Sequence, residues 1–208
     1  MRASLIAAAL LIIASGAYAQ SLNVPTYSVG DNWTIKTGNS TRTVKVLKVG
    51  DDGAIDMLAL LPGCPICIFQ LDRTLRILTI LDGAGKPAEP TQFTFIPLGA
   101  QWHFYDFPLE PKKHWAFSAV GFLRGQSENY EVDNRVDRIE DVKTQAGTFT
   151  AYRIVREWVL KGGRAQVRHS DFRWQTTTWF APDVKFAVKT TTTNPRGENS
   201  ELISYSVK

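Results

Sequence analysis

Cysteine is scarce in this chain: two residues in 208, both in the stretch Leu60-Leu61-Pro62-Gly63-Cys64-Pro65-Ile66-Cys67. Histidine is nearly as scarce, at positions 103, 114 and 169 only. A zinc site takes four Cys, His or carboxylate ligands at close spacing, and this distribution offers no such set, so neither a metal nor another cofactor is expected. The G-x-S-x-G elbow, H-E-x-x-H and the P-loop are missing too, and with them the chemistries those motifs carry. His103 with Asp106 and His169 with Asp171 are neighbours in sequence, a spacing more typical of a surface pair than of a catalytic one. The expectation is a protein that is not an enzyme. An excess of one charge is also lacking: 24 basic against 20 acidic residues, net +4. A nucleic-acid binder concentrates basic residues on one face, so none is expected as a partner.

Long apolar runs are absent except at the N-terminus. Met1-Arg2 gives a positive start, Leu5 to Ala14 is unbroken apolar sequence, and Ala17-Tyr18-Ala19 supplies a small-x-small site. This pattern describes a secretory signal, too short for a spanning helix of about 20 residues. Cleavage is expected between Ala19 and Gln20, which divides the chain into a signal peptide, 1–19, and one domain, 20–208. No transmembrane segment is expected in the mature chain, and the periplasm or the exterior is its expected address.

The rest reads as strands. Thr41 to Val49, Leu75 to Leu81, Phe149 to Leu160, Val167 to Phe180 and Val184 to Thr193 are short runs rich in Thr, Val and Ile. Turn chemistry punctuates them at Gly38-Asn39, Gly50 to Gly53, Asp82 to Gly85, Gly162-Gly163 and Asn194 to Gly197. This pattern predicts an all-β fold, a single-domain, curved, mainly antiparallel meander sheet or half-barrel. Trp33, Trp115, Trp158, Trp174 and Trp179 lie in or beside these runs and are candidates for its core. Gly162-Gly163 suits a two-residue type I′ turn, a register that sets Glu157 opposite Arg168 and Arg156 opposite His169, with Asp171 on the same face.

The blocks "GDNW" (Gly30 to Trp33), "FPLEPKKHW" (Phe107 to Trp115), "AGTFTAYRIV" (Ala146 to Val155), "WFAPDVKFAVK" (Trp179 to Lys189) and "ELISYS" (Glu201 to Ser206) follow one another in this order. Together they resemble a family of secreted, β-rich bacterial envelope proteins that carry G-D-x-W, F-P-L…W, A-G-T-F and W-[YF]-x-P blocks. The layout is also distantly similar to curved-sheet lipoprotein carriers. The resemblance implies a fold and an envelope address, and no activity. The family pattern has glycine after the P-D-V turn where this chain has Lys185, so a different turn is expected there.

Three readings of Cys64 and Cys67 stand side by side. A reactive C-x-x-C sits at a helix N-terminus, and Ile68, Leu71, Leu75 and Leu78 do fall at helical spacing. Against a helix, Ile66, Ile68, Ile77, Thr79 and Ile80 are β-branched. A metal site lacks further ligands. A structural disulfide needs Cα atoms within about 7 Å, which the pair meets if it brackets a turn with Pro65 at the second position.

Two binding readings remain. Phe93, Phe95, Trp102, Phe104 and Phe107 cluster between two proline loops and are candidates to line a cavity for a lipid or other apolar envelope ligand. Met57 to Leu61 and Leu75 to Leu81 are apolar on both faces, and that surplus must be covered by strands or by a ligand. From Tyr152 to Trp174 six basic residues, Arg156 among them, interleave with aromatics such as Trp158, and with His169 and Asp171 this stretch is a candidate surface for an anionic envelope polymer. The exported protein is expected to begin at Gln20 and to hold no free thiol. Intact mass before and after alkylation of the unreduced protein checks both, and two alkylated cysteines would contradict the bridge.

Overall fold

The computed structural model describes residues 21–61, 64–88, 95–97, 102–123, 126–161, 171–195 and 197–208. The signal segment and the Gly162-Gly163 turn lie outside them, as do Phe93, Arg164, Arg168 and His169.

Among the described residues twelve strands form one antiparallel sheet. The first five are β1 (Asn32–Thr37), β2 (Ser40–Val49), β3 (Ile55–Leu61), β4 (Cys64–Leu71) and β5 (Ile77–Leu81). The other seven are β6 (Phe95–Pro97), β7 (His114–Leu123), β8 (Gln126–Thr144), β9 (Gly147–Leu160), β10 (Phe172–Ala181), β11 (Phe186–Thr192) and β12 (Ser200–Ser206). Their spatial order is β5-β4-β3-β2-β1-β12-β11-β10-β9-β8-β7-β6. Each half is a meander, and β1 pairs with β12 in the middle. The sheet stays open, with β5 and β6 as its two edges. Twelve twisted strands do not lie flat, so the sheet curls round its apolar inner face.

β8 shows how the sequence sets that face. Glu128, Tyr130, Val132, Asn134 and Val136 are buried, while the residues between them are exposed or half-buried. This is the period-two pattern of a strand with one covered side. Two of the five buried positions are polar, and both matter below.

The sequence blocks meet at the middle of the sheet. Gly30 takes φ +95°, which glycine adopts without strain, and the turn carries Asp31 into the interior at 0% exposure. Asp31 accepts from the backbone N–H of Ser28 at 2.9 Å and of Lys208 at 2.8 Å, and from Lys185 Nζ at 3.0 Å. Trp33, also 0% exposed, stacks on Phe186 at 4.7 Å and donates its indole N–H to the Val184 carbonyl at 2.6 Å. Tyr27 donates to the Lys185 carbonyl at 2.7 Å. Lys185 directly follows the 3-10 turn Pro182–Val184. It adopts φ 57°, the left-handed conformation that glycine favours, as the cap of that turn. Its ammonium then neutralises the buried carboxylate, something glycine lacks the atoms to do.

Three expectations need correction. The helical spacing from Ile68 to Leu78 is not used: Ile68 lies in β4 and Leu78 in β5, because β-branched side chains pack well on a pleated surface. The β9–β10 pair does not take the expected register either. Glu157 faces Gln175 and Arg156 faces Thr176, and residues 161–171 connect the strands. The apolar faces decide this register, since it sets Trp158 against Trp174. Third, the cysteines do not bracket a turn, for both lie on β4. Cys67 pairs with Ala59 and Cys64 with Leu61, with a register shift between. Ala59 and Leu61 are two apart on β3, so their partners hold register positions on one face, with one extra residue between them. The Cys64 side chain lies outside the described residues; Cys67 is buried at 0% exposure.

Two hydrogen-bonded backbone donors and an ammonium outweigh desolvation and hold the Asp31 carboxyl below the usual carboxylate range. A depressed folded-state pKa stabilises the fold above the unfolded pKa near 3.9, and that contribution is lost as pH falls through the folded value. Urea unfolding of Asp31→Asn at pH 7 is expected to show a loss of about 3 kcal/mol, as for one partner of a buried pair. Between pH 4 and 2 the variant is expected to lose less further stability than the parent. Equal losses in that range would show that Asp31 does not carry the acid sensitivity.

Candidate functional site

The described part of the connection that enters β7 packs against residues of the inner face of the sheet. Residues 102–109 form this strap. Trp102, at 0% exposure, joins both flanks. Its indole N–H donates to the Val120 carbonyl of β7 at 2.8 Å, and its own carbonyl accepts the Ile77 N–H of β5 at 3.3 Å. One residue thus spans the opening that the sheet leaves unpaired. At the far end Leu109 exchanges backbone hydrogen bonds with Leu22 at 2.7 and 2.8 Å, and Lys113 forms an ion pair with Asp106 at 3.0 Å.

The strap's rings interlock with those of the strands. Trp102 lies 5.8 Å from Phe104, 5.6 Å from Tyr130 and 6.1 Å from Trp158. Trp158 stacks on Trp174 at 5.5 Å with the planes 5° apart, and Phe172 follows at 5.4 Å. Tyr105 and Phe107 pack on Phe180. Exposure rises along this layer, from none at Trp102 to half-buried at Trp174 and Phe172.

Beneath the strap lies Arg156, 6% exposed. Its Nε donates to Asn134 Oδ1 at 2.7 Å, one terminal nitrogen to the Phe104 carbonyl at 2.7 Å, and the other to Thr178 Oγ1 at 3.4 Å. The guanidinium also lies 5.3 Å from the Phe104 ring centre and 5.7 Å from that of Tyr105. Burial pushes its pKa down, opposed by the Tyr105 hydroxyl. Burial likewise pushes Tyr105 up, opposed by Arg156. No carboxylate figures among these partners. A buried cation held only by neutral dipoles is uncommon, because such charges are normally paired. Glu128, at the outer end of the same face of β8, is 2% exposed, and its Oε2 has no hydrogen-bond partner among the described residues.

Of the sequence candidates, the structure brings together Trp102, Phe104, Phe107, Arg156 and Trp158. Trp102 is fully buried among these rings. Open grooves of about 510 and 540 Å³ lie elsewhere, beside Arg73 and Leu78 and beside Lys36 and Lys189. The Phe95 side chain, like Phe93 and His169, is outside the described residues. Asp171 lies away from Arg156, and its carboxylate faces Lys161 at 3.4 Å and Arg173 at 3.8 Å. Asp106 is engaged by Lys113 at 3.0 Å, and among the described residues the exposed His114 pairs with Asp133 at 2.8 Å. The basic stretch also divides. Among the described residues Arg153 is ion-paired with Asp137 and Lys161 with Glu131 at 2.7 Å, while Arg156 is buried on the inner face. Sequence reading missed Asn134, Tyr105 and Glu128. The signal for two of them was a polar residue on the apolar phase of β8. Among the described residues, no group of His, Cys, Asp or Glu is placed to hold a metal, and no helix is long and apolar enough to cross a membrane.

No protein-family model and no curated protein sequence matches this chain. Solved structures do. An exported protein with a YmcC-like fold from Bacteroides fragilis shares 14% identity over 90% of this chain and all of its own, at TM-score 0.53. A lipoprotein from Parabacteroides distasonis shares 11% over 90% of this chain and all of its own, at TM-score 0.50. At these identities the likeness shows the fold, an open curved antiparallel sheet, and nothing finer.

Trp102→Ala is expected to cost about 3–5 kcal/mol as a large cavity. Trp102→Phe is expected to cost about 1–3 kcal/mol, since it keeps most of the ring but orphans the Val120 carbonyl. Urea denaturation measures both, and a neutral Trp102→Phe would show that the indole N–H does not hold the strap.

Proposed function

We propose that the chain is a non-catalytic module of the bacterial envelope that holds an apolar or amphipathic ligand, such as a lipid or acyl chain, against its inner aromatic layer. The observation that carries this reading is the grading of that layer, from Trp102 with no exposure to half-buried Trp174 and Phe172. Tied at Trp102 and at Leu109, the strap covers the inner face without belonging to the sheet. A ligand entering at Trp174 extends the aromatic stack inward as the strap yields.

The N-terminal signal pattern and the exported and lipoprotein descriptions of the fold's neighbours support a periplasmic or secreted address. Cys64 and Cys67 are assigned here to a structural bridge across the β4 bulge, a reading supported by their shared face and by the lack of a free cysteine among the described residues. A thiol-redox role fits poorly, because reactive cysteines are partly exposed and Cys67 is buried. The anionic-polymer surface fits less well than the cradle, since Arg153 and Lys161 are already neutralised on the outer face.

An uncharged fluorescent apolar probe is expected to bind saturably and to quench tryptophan emission. Trp174→Ala is expected to weaken it about tenfold, as for one lost aromatic contact of about 1.5 kcal/mol. Absence of binding to the parent and to Trp102→Phe alike would reject the cradle in favour of a docking or purely structural role.

A further inference from the structure

We infer that Arg156 is a receptor for an oxyanion, and that the ligand of the cradle is an anionic amphiphile with a carboxylate or phosphate head on an acyl chain. This rests on the cradle reading and adds the chemistry of the head group.

The inference starts from an imbalance. A guanidinium presents five N–H donors in a planar fork whose geometry matches carboxylate and phosphate. Arg156 holds that fork at 6% exposure, with Asn134 Oδ1, the Phe104 carbonyl, Thr178 Oγ1 and the Tyr105 hydroxyl round it. All four are neutral oxygens. They satisfy hydrogen bonds but not the charge, and an uncompensated buried charge destabilises a fold. The neighbours on β9 do not share this condition, for Arg153 has Asp137.

Two of the four oxygens are fixed by the sheet: Asn134 on β8 and Thr178 on β10 flank Arg156 on β9. The other two belong to the strap. The Phe104 carbonyl therefore occupies a position on the fork that one oxygen of an anion would take, and the Tyr105 ring covers the guanidinium beside it. When the strap shifts, the guanidinium loses this cover and gains a charged partner, which favours the exchange. Trp158, next along the inner face of β9, and Trp174 beside it then lie where the first carbons of an acyl chain would run. Head and chain are thus read by adjacent parts of one face.

The test compares three fluorescent amphiphiles of one chain length: a carboxylate, a phosphate monoester and the methyl ester of the carboxylate. Titrations at 0.15 M salt suppress attraction by distant surface charge. The parent protein is expected to bind the carboxylate, the phosphate or both at least tenfold more tightly than the ester, and the tighter of the two identifies the head group. In Arg156→Met the preference is expected to vanish while ester affinity stays within about twofold. Arg156→Lys, which keeps the charge but not the fork, is expected to retain only a few-fold preference, and it carries the test should Arg156→Met fail to fold. Equal binding of anions and ester by the parent would overturn this inference and leave the cradle standing. A preference that survives in either variant unchanged would overturn it too, because the charge would then be read elsewhere. Failure of all three probes to bind would remove both the cradle and the receptor.

Discussion

Among the described residues a single sheet of twelve strands has an inner face and no second sheet or layer of helices to cover it, and the strap answers that constraint. The ladder does not close, so the opening between its β5 and β7 flanks is spanned by Trp102, whose carbonyl reaches Ile77 and whose indole reaches Val120. Burial of the inner face, the position of the strap and the shielding of Arg156 all follow from that link. The middle of the sheet is secured separately. There Asp31, Trp33, Lys185 and the end of β12 tie the two meanders together around one buried ion pair.

This division of labour gives the sequence blocks a physical meaning. G-D-x-W and the W-F-x-P-D-V turn lie about 150 residues apart in sequence yet form one lock, as Trp33 donating to Val184 shows (|i−j| = 151). F-P-L…W is the exit of the strap and the start of β7. These blocks serve stability, whereas the candidate site lies between them, on strands whose sequences look ordinary.

The all-β architecture was legible because turn residues and alternation are local signals, and β2, β9 and β11 were readable nearly to their ends. Register was not. Gly162-Gly163 is a good local turn sequence, yet the pairing of Trp158 with Trp174 decides how β9 meets β10, and that preference becomes visible only when the two faces are laid together. The candidates Trp102, Phe104 and Phe107 were found as a cluster of aromatics, but not the strap they belong to or its contacts with Trp158 and Phe180, which come from remote strands. Arg156 was noticed for its charge in a basic stretch. Its burial arises from strand parity, which sends its basic neighbours to the outer face, and from Asn134 and Tyr105, which come from remote segments.

On the proposed reading, a buried arginine under an aromatic strap links stability to binding: the neutral oxygens round the guanidinium keep the empty protein folded, and a charged ligand competes with those of the strap. The most direct test of this account is native mass spectrometry of the protein purified gently from its own cells. The account predicts an adduct with the mass of an acyl carboxylate or acyl phosphate, lost on mild activation to leave the bare chain. Protein that arrives ligand-free, and stays so after incubation with the total lipid extract of those cells, would contradict it.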